Sequence, residues 1–449
     1  MRITPQHAPL RNLRVPMLSN LCFRAVLLMT VVAILDVSLS LPAAAASLCV
    51  NPANPACYTT IGAAVAAATP GDTINVAHGT YKEQVTLSNS ISLVGENRNN
   101  TTIDATGLVN GIYINGTASA PNAGVTDVTV TGFTIENAQT EGILVANASN
   151  VTISNNDVTN NDLSLIAAVP SCTENYDFET NESFDCGEGI HLTGVDHSIV
   201  SGNISENNAG GILLSDDTGA THDNLITGNV AKNNPYDCGI TLASHPPATI
   251  TNVTSGVSLG VFHNTITGNQ SSGNGLAVFG AGAGVGLFAG GPGNQTYGNI
   301  VINNILTGNG LPGVAMHNHA SAPGGPAVNL NDNVIVGNQI GGNHADTQDA
   351  ATPGSTGINL YSVVPVTGTV ISQNAVLQEK IAIAVNIPAP VELHLNNLLA
   401  HGIGVDNLGT GAVNATENWW GCSGGPTAPG CSSAGGSVIF TPWLTKPAP

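Results

Sequence analysis

Positive charge is what this sequence has least of. Of 449 residues only 9 are Lys or Arg, against 29 Asp or Glu, for a net charge of −20. Beyond residue 46 the basic side chains are Lys82, Arg98, Lys232, Lys380 and Lys446. Such a surface repels phosphate backbones and anionic lipid, which excludes nucleic acid as a partner. Aromatic residues are 4% of the chain, too few for an extended sugar-stacking cleft. Cys-x-x-Cys and Cys/His zinc spacings are missing, which removes structural zinc. Charge of either sign is scarce as well, at 8%. Disordered chains are usually rich in charge and poor in β-branched residues. This one is the reverse, rich in Val, Ile and Thr, so it is expected to fold.

Long apolar runs are also lacking. The clearest, Ala25 to Leu35, is too short to span a bilayer. Arg24 precedes it and the small residues of "PAAAAS" follow, with a cut expected near Ala46. Residues 1–46 therefore read as an export signal, and the mature chain as secreted, cell-surface or periplasmic with no membrane span. Seven cysteines remain after the cut. Export and close spacing favour the bridges Cys49–Cys57 and Cys422–Cys431, then Cys172–Cys186, leaving Cys238 free.

What the sequence does have is glycine, 53 residues of it, and internal repetition. One pattern is a small-residue step before alternating apolar positions: "EGILV" at 141, "EGIHL" at 188, "GGILL" at 210, "CGITL" at 238, "AGVGL" at 283, "PGVAM" at 312 and "TGINL" at 356. The other centres on Asn156, Asn203, Asn229, Asn269, Asn304, Asn338, Asn374 and Asn397. The two alternate along the chain, as in a solenoid. Neither has the length or the 3.6-residue period of a helix. Stacked coils would set each strand parallel to its copy about 4.8 Å away and place the asparagines in a column at a turn. There their amides can bond one another and satisfy buried backbone groups.

Three segments resemble the secreted right-handed parallel β-helix proteins of the pectin-lyase-like superfamily. "YTTIGAAVAAATPGDTINVAHGTYKEQVTL" looks like their N-terminal entry, with a short capping helix near Ile61 to Ala68. The Asn-marked coils follow, and "ATENWWGCSGGP" resembles their last coil, with Trp419 and Trp420 covering the core. The resemblance implies an all-β solenoid: a cap over residues 47–72, a right-handed parallel β-helix over 73–441 and a tail over 442–449. It implies little about activity, since the architecture hosts lyases, hydrolases, epimerases, adhesins and maturation factors.

Coil register allows distant residues to be compared. The half-coil from Asn156 to Gly189 spans 33 residues where 8 to 10 is usual, as in Asn203 to Gly211. The half-coils after Gly211, Gly239, Gly284 and Gly313 are also long, so loops are expected to wall a groove on one side. Six residues past the pattern glycines stand Asp217, His245 and His319. Five past stands Asp216; four past stand Ser215, Phe288, His317 and Tyr361; two past stands His191. The aspartate pair is thus expected to lie exposed beside His245, with His191 one coil before. Asp216, Asp217 and His245 are the candidate catalytic residues. His191, His317, His319, Phe288 and Tyr361 are candidate substrate contacts. No metal ligand is assigned. Paired carboxylates beside an imidazole suit acid–base chemistry.

The resulting reading is an exported protein that binds a neutral or weakly charged polysaccharide or cell-surface glycan on a lateral groove, with cleavage by two carboxylates as acid and base left open. A polyuronate lyase or epimerase is disfavoured by the lack of basic residues on the central coils, unless Ca²⁺ offsets the charge. "SDD" looks like the aspartate pair of polygalacturonase-type hydrolases, but the Gly-His-Gly and Arg-x-Lys motifs of that group are missing. The remaining alternative is a non-catalytic surface scaffold. Copper-enzyme maturation is unsupported, because Met is too scarce, at 4 residues.

Overall fold

A computed structural model describes residues 45–161, 187–245, 257–318, 327–348 and 351–449. Residues 1–44 of the expected export signal lie outside this set, as do Cys172, Cys186 and His319; Ala46, at the expected cut, bonds to Asp72 and Thr73.

Each coil consists of short strands joined at tight corners. Around Asn229, the strand Leu225–Thr227 passes through Gly228, with φ +63°, into Val230–Lys232. Asn233, with φ +56°, makes the next corner, and Ile240–Ser244 forms the strand beyond it. These left-handed corners explain the Gly-Asn and Asn-Asn spelling of the repeat. A residue that tolerates positive φ comes first, and the column asparagine follows it. Like strands of successive coils pair in parallel, as between Leu225–Thr227 and Thr265–Thr267. The result is a parallel β-helix with three sheets, which hold 14, 11 and 16 strands among the described residues. Among the described residues one α-helix, Ile61–Ala67, lies at the N-terminal end.

The sheets bury their residues differently. In the first, Leu225–Thr227 buries only Ile226; in the second, Val230–Lys232 buries only Ala231. These point into the core and their neighbours point outward, as alternation along a strand requires. In the third sheet Ile212–Ser215 and Ile240–Ser244 are buried throughout. Ile212, Leu214, Ile240 and Leu242 enter the core. Leu213, Ser215, Thr241 and Ala243 face the other way and are buried too. Over these coils the third-sheet strands are therefore buried on both faces, unlike those of the other two sheets.

Asparagine columns hold the corners. In one, Asn229 Nδ2 donates to Asn269 Oδ1 at 3.0 Å and to Val200 O at 2.9 Å, while its Oδ1 accepts from Asn203 N and Nδ2 at 3.0 Å each. The same pattern runs from Asn156 through Asn203, Asn229, Asn269, Asn304, Asn338 and Asn374 to Asn396 and Asn418. The eighth expected member, Asn397, is corrected to Asn396. Leu395 takes the left-handed corner, with φ +59°, so the residue after it joins the column and Asn397 falls on the following strand. Two further columns were not anticipated. One links Asn161, Asn208, Asn234, Asn274, Asn309 and Asn343 to Glu379. The other links Asn224, Asn264, Asn299 and Asn333.

The ends are closed as anticipated, with one change. The Glu83 carboxylate accepts from the Ile61 and Gly62 N–H groups at 2.8 Å each, which serves the otherwise unmet donors of the helix start. At the other end Trp420 is fully buried in the core beside Phe440 and Trp443, whereas Trp419 stays half-buried at the coil wall, bridged to Asn397. The disulfides Cys49–Cys57 and Cys422–Cys431 are formed. Cys238 is a free buried thiol, pushed well above its usual titration range by burial.

Candidate functional site

The outer face of the third sheet gathers most of the candidate side chains. The expected register holds: Ser215 pairs with Ala243, Ala243 with Phe288, Phe288 with His317 and His317 with Tyr361. His191 pairs with Leu213 and Leu213 with Thr241. The two aspartates follow Ile212–Ser215 directly, and His245 follows Ile240–Ser244.

The expected exposure of the pair is overturned. Asp216 is 3% exposed, Asp217 2% and His245 3%. The cause is hydrogen-bond demand. Asp216 Oδ1 accepts from His245 N at 2.8 Å, and Oδ2 from Gly260 N at 2.6 Å and Ser244 Oγ at 3.1 Å. Those buried N–H groups require an acceptor, and the carboxylate turns inward to supply it. Asp217 lies against the imidazole of His245, whose Nδ1 is 3.3 Å from both carboxylate oxygens.

His191 joins this group through a hydroxyl. Ser215 Oγ is 2.5 Å from Asp217 Oδ2 and 2.9 Å from His191 Nε2. An ionised carboxylate only accepts, so the Ser215 hydroxyl donates to Asp217 and accepts from His191 Nε2–H. The other nitrogen, Nδ1, faces Glu141 Oε1 at 3.6 Å. A buried chain thus runs Glu141–His191–Ser215–Asp217–His245, with Asp216 bound to the same histidine's backbone. Glu141, Glu188 and His191 are also the described residues whose ligand atoms gather closely enough to hold a metal ion, all within 4.8 Å.

The two aspartates are shifted in opposite directions. Burial, and then the charge of Asp217, push Asp216 up to about 6 against its backbone hydrogen bonds. Burial pushes Asp217 up as well. The charge and hydrogen bond of His245, with the Ser215 hydroxyl, outweigh it and hold Asp217 below the ordinary carboxylate range. Two adjacent carboxyl groups therefore differ in role: one keeps its proton into the mildly acidic range and the other gives it up early.

Phe288, His317 and Tyr361 are brought together with one another, not with the aspartates. Phe288 and His317 meet edge to face at 4.8 Å, and His317 Nε2 is 3.6 Å from Asp346 Oδ2. Tyr361 lines a separate cavity of about 330 Å³ with Ser362, Asn386, Pro388 and Leu408. His319 lies outside the described residues.

Several residues of interest were not singled out in the sequence. Glu141 and Glu188 carried a signal, since two consecutive pattern copies begin Glu-Gly-Ile. Asp346 sits outside the repeat and carried none. His222, Phe262 and Tyr297 stack across three coils with centroids 4.8 and 5.0 Å apart. This half-buried stack begins on the short strand that follows the aspartate turn.

Residues 110–287 match the family model described as the right-handed beta helix region. DFA-IIIase from Arthrobacter chlorophenolicus A6, solved without its lid in complex with GF2, has a TM-score of 0.51 to this chain at 14% identity, over 89% of this chain and 99% of that one. The tailspike protein of E. coli bacteriophage HK620, solved with a pentasaccharide, also has a TM-score of 0.51, at 11% identity over 88% of this chain. The chain spans 65% of that tailspike. An alginate lyase from Paenibacillus sp. str. FPU-7 has a TM-score of 0.41 at 13% identity, over 88% of this chain and 99% of its own. No curated protein matches the chain. At these identities the likeness is one of fold.

Proposed function

We propose that this right-handed parallel β-helix protein binds a neutral or weakly charged polysaccharide on the outer side of its third sheet and cleaves it by acid–base chemistry. Asp216 is the proton donor, and Asp217 with His245 forms the base. The observation that carries this reading is the unlike setting of two adjacent buried carboxyl groups: Asp217 lies 3.3 Å from His245 Nδ1, while Asp216 accepts the His245 and Gly260 N–H groups, which places one below and the other above the ordinary carboxylate range. Matched acids and bases of this kind are what glycosidic bond cleavage uses. Charge supports the substrate class. Lys232 pairs with Glu206 on the second sheet at 2.8 Å, and Arg98 donates to Gly202 O at 3.2 Å. Neither stands by the aspartates to receive a uronate. The rings of His222, Phe262 and Tyr297 supply apolar surface beside the turn. Two proteins of the same fold, DFA-IIIase and the tailspike, were solved with GF2 and a pentasaccharide respectively.

A second reading draws on the burial itself. In a non-catalytic scaffold the Asp216 carboxylate would be a staple holding the His245 and Gly260 N–H groups, and nothing more. A panel of neutral and acidic polysaccharides, screened for binding and then for new chain ends, separates the two. Product from a neutral glycan supports the enzyme. Binding without product, or no binding, supports the scaffold.

A further inference from the structure

Glu141 and Glu188 occupy the same place in successive coils. Each precedes the glycine that opens a third-sheet strand, and the coils are locked there by Gly142 N to Glu188 O at 3.1 Å and Ile143 N to Gly189 O at 2.9 Å. Register therefore stacks one carboxylate on the other, and both are fully buried. Two ionised carboxylates this close, out of water, repel each other and need a counter-charge.

His191 is oriented toward them. Its Nε2–H is committed to Ser215 Oγ, because that hydroxyl gives its own proton to Asp217. Nδ1 then faces Glu141 Oε1 at 3.6 Å, beyond hydrogen-bond distance. Neither carboxylate oxygen of Glu141, nor His191 Nδ1, has a hydrogen-bond partner, although Glu141 is 0% and His191 1% exposed. The three ligand atoms lie within 4.8 Å of one another.

We propose that Glu141, Glu188 and His191 form a binding site for a divalent transition-metal ion of the Zn²⁺ type. Two carboxylates and one imidazole neutralise a 2+ ion, which suits a dry location. The 3.6 Å between Glu141 and His191 is close to the roughly 3.4 Å edge of a tetrahedron with metal–ligand bonds of about 2.1 Å. The imidazole nitrogen disfavours Ca²⁺ and Mg²⁺, which take oxygen. The hydrogen bond at Nε2 is the outer partner that fixes a metal-binding histidine's tautomer. Three protein ligands leave a position for water or a ligand group. The site uses neither aspartate but reaches Asp217 through His191 and Ser215; Zn²⁺ binding is read without any polysaccharide, so its failure and the failure of the polysaccharide reading are told apart.

The test is titration of chelator-treated protein with Zn²⁺, followed by calorimetry and by metal analysis after gel filtration. One Zn²⁺ should bind per chain, with a melting temperature that rises with free Zn²⁺ and is not matched by Ca²⁺. Glu141→Gln should weaken binding by more than about 100-fold, beyond the loss typical for an outer partner. The double variant Glu141→Gln/Glu188→Gln removes both buried charges. It should fold without metal and retain no Zn²⁺. Wild-type protein that binds no Zn²⁺, with an unchanged melting temperature, overturns the proposal in favour of a shared proton. Undiminished Zn²⁺ binding by the double variant overturns it in favour of a surface site.

Discussion

Asp216 and Asp217 are chain neighbours that titrate apart, and their partners explain why. Asp217 has an imidazole and a hydroxyl; Asp216 has two backbone N–H groups and a like charge beside it. The sign of the pH effect follows. Asp216 has a folded pKa of about 6, raised from 3.8, so the folded state holds its proton more tightly than the unfolded state. Its contribution is fully favourable below pH ~4 and is lost as pH rises through about 6, by up to roughly 3 kcal/mol. Asp217 runs the other way: its stabilisation is present above pH ~4 and is lost as pH falls through its lowered pKa. The groups facing Asp216 are Asp217 and His245 among titrating residues, and Ser244 and Gly260 among neutral ones. Denaturant midpoints for wild type and Asp216→Asn between pH 4 and 7 test this. The wild-type curve should fall more steeply than the variant's. Any deficit of the neutral variant should therefore be largest near pH 4 and shrink toward pH 7, where wild type has lost the contribution of its protonated carboxyl. Parallel curves would show that Asp216 does not titrate in this range. The burial of the pair was not legible in the sequence. Register predicted that Asp217 would meet His245, but not that a backbone N–H 44 residues away, on Gly260, would draw Asp216 inward.

At the scale of the element, the corner is the unit of specification. A left-handed residue followed by Asn turns the chain and then ties it to the coil above and below. The first asparagine column was legible because its spelling recurs, and seven of eight members were placed correctly. The eighth failed where "LNNLL" offers two asparagines, since the choice depends on which residue takes positive φ, and Leu395 is an unusual residue to do so. The other two columns, five residues to either side as in Asn224, Asn229 and Asn234, share the spelling but less regularly. Asn396 makes buried bonds to Asn374, Asn418 and Ile371 O, while Asn397 ties the tail through Ala448. Asn396→Ala should therefore cost about 3 kcal/mol or more, by leaving several buried groups unmet, and Asn397→Ala about 1 or less. Equal losses in thermal or denaturant unfolding would mean that the column is ordinary turn punctuation.

For the whole molecule, stability is a sum over coils and the ends are weakest, because a terminal coil has one neighbour. Trp420, buried beside Phe440 and Trp443, closes the C-terminal end. Trp420→Ala should cost about 3–5 kcal/mol. Hydrogen exchange should rise first in the last coils, near Ile403–Asn407 and Val413–Asn414, while the coils around Asn229 stay protected. A uniform rise would indicate a single cooperative unit. The solenoid itself was legible, because every coil repeats the same two-faced strand. The burial of the third sheet's outer side chains was not, because it rests on contacts between non-repeating positions, such as Gly260 N to Asp216 Oδ2 and Ser215 Oγ to His191 Nε2. Those contacts make a buried hydrogen-bonded chain where an open groove was expected. The most direct measurement of its role is the rate of new chain-end formation from a neutral polysaccharide that the protein binds, for wild type and Asp217→Asn at pH 5 to 6. The account predicts turnover by wild type and a loss of about 100-fold or more in the variant, the scale of a general acid or base. Equal rates, or no product from any bound glycan, would contradict it.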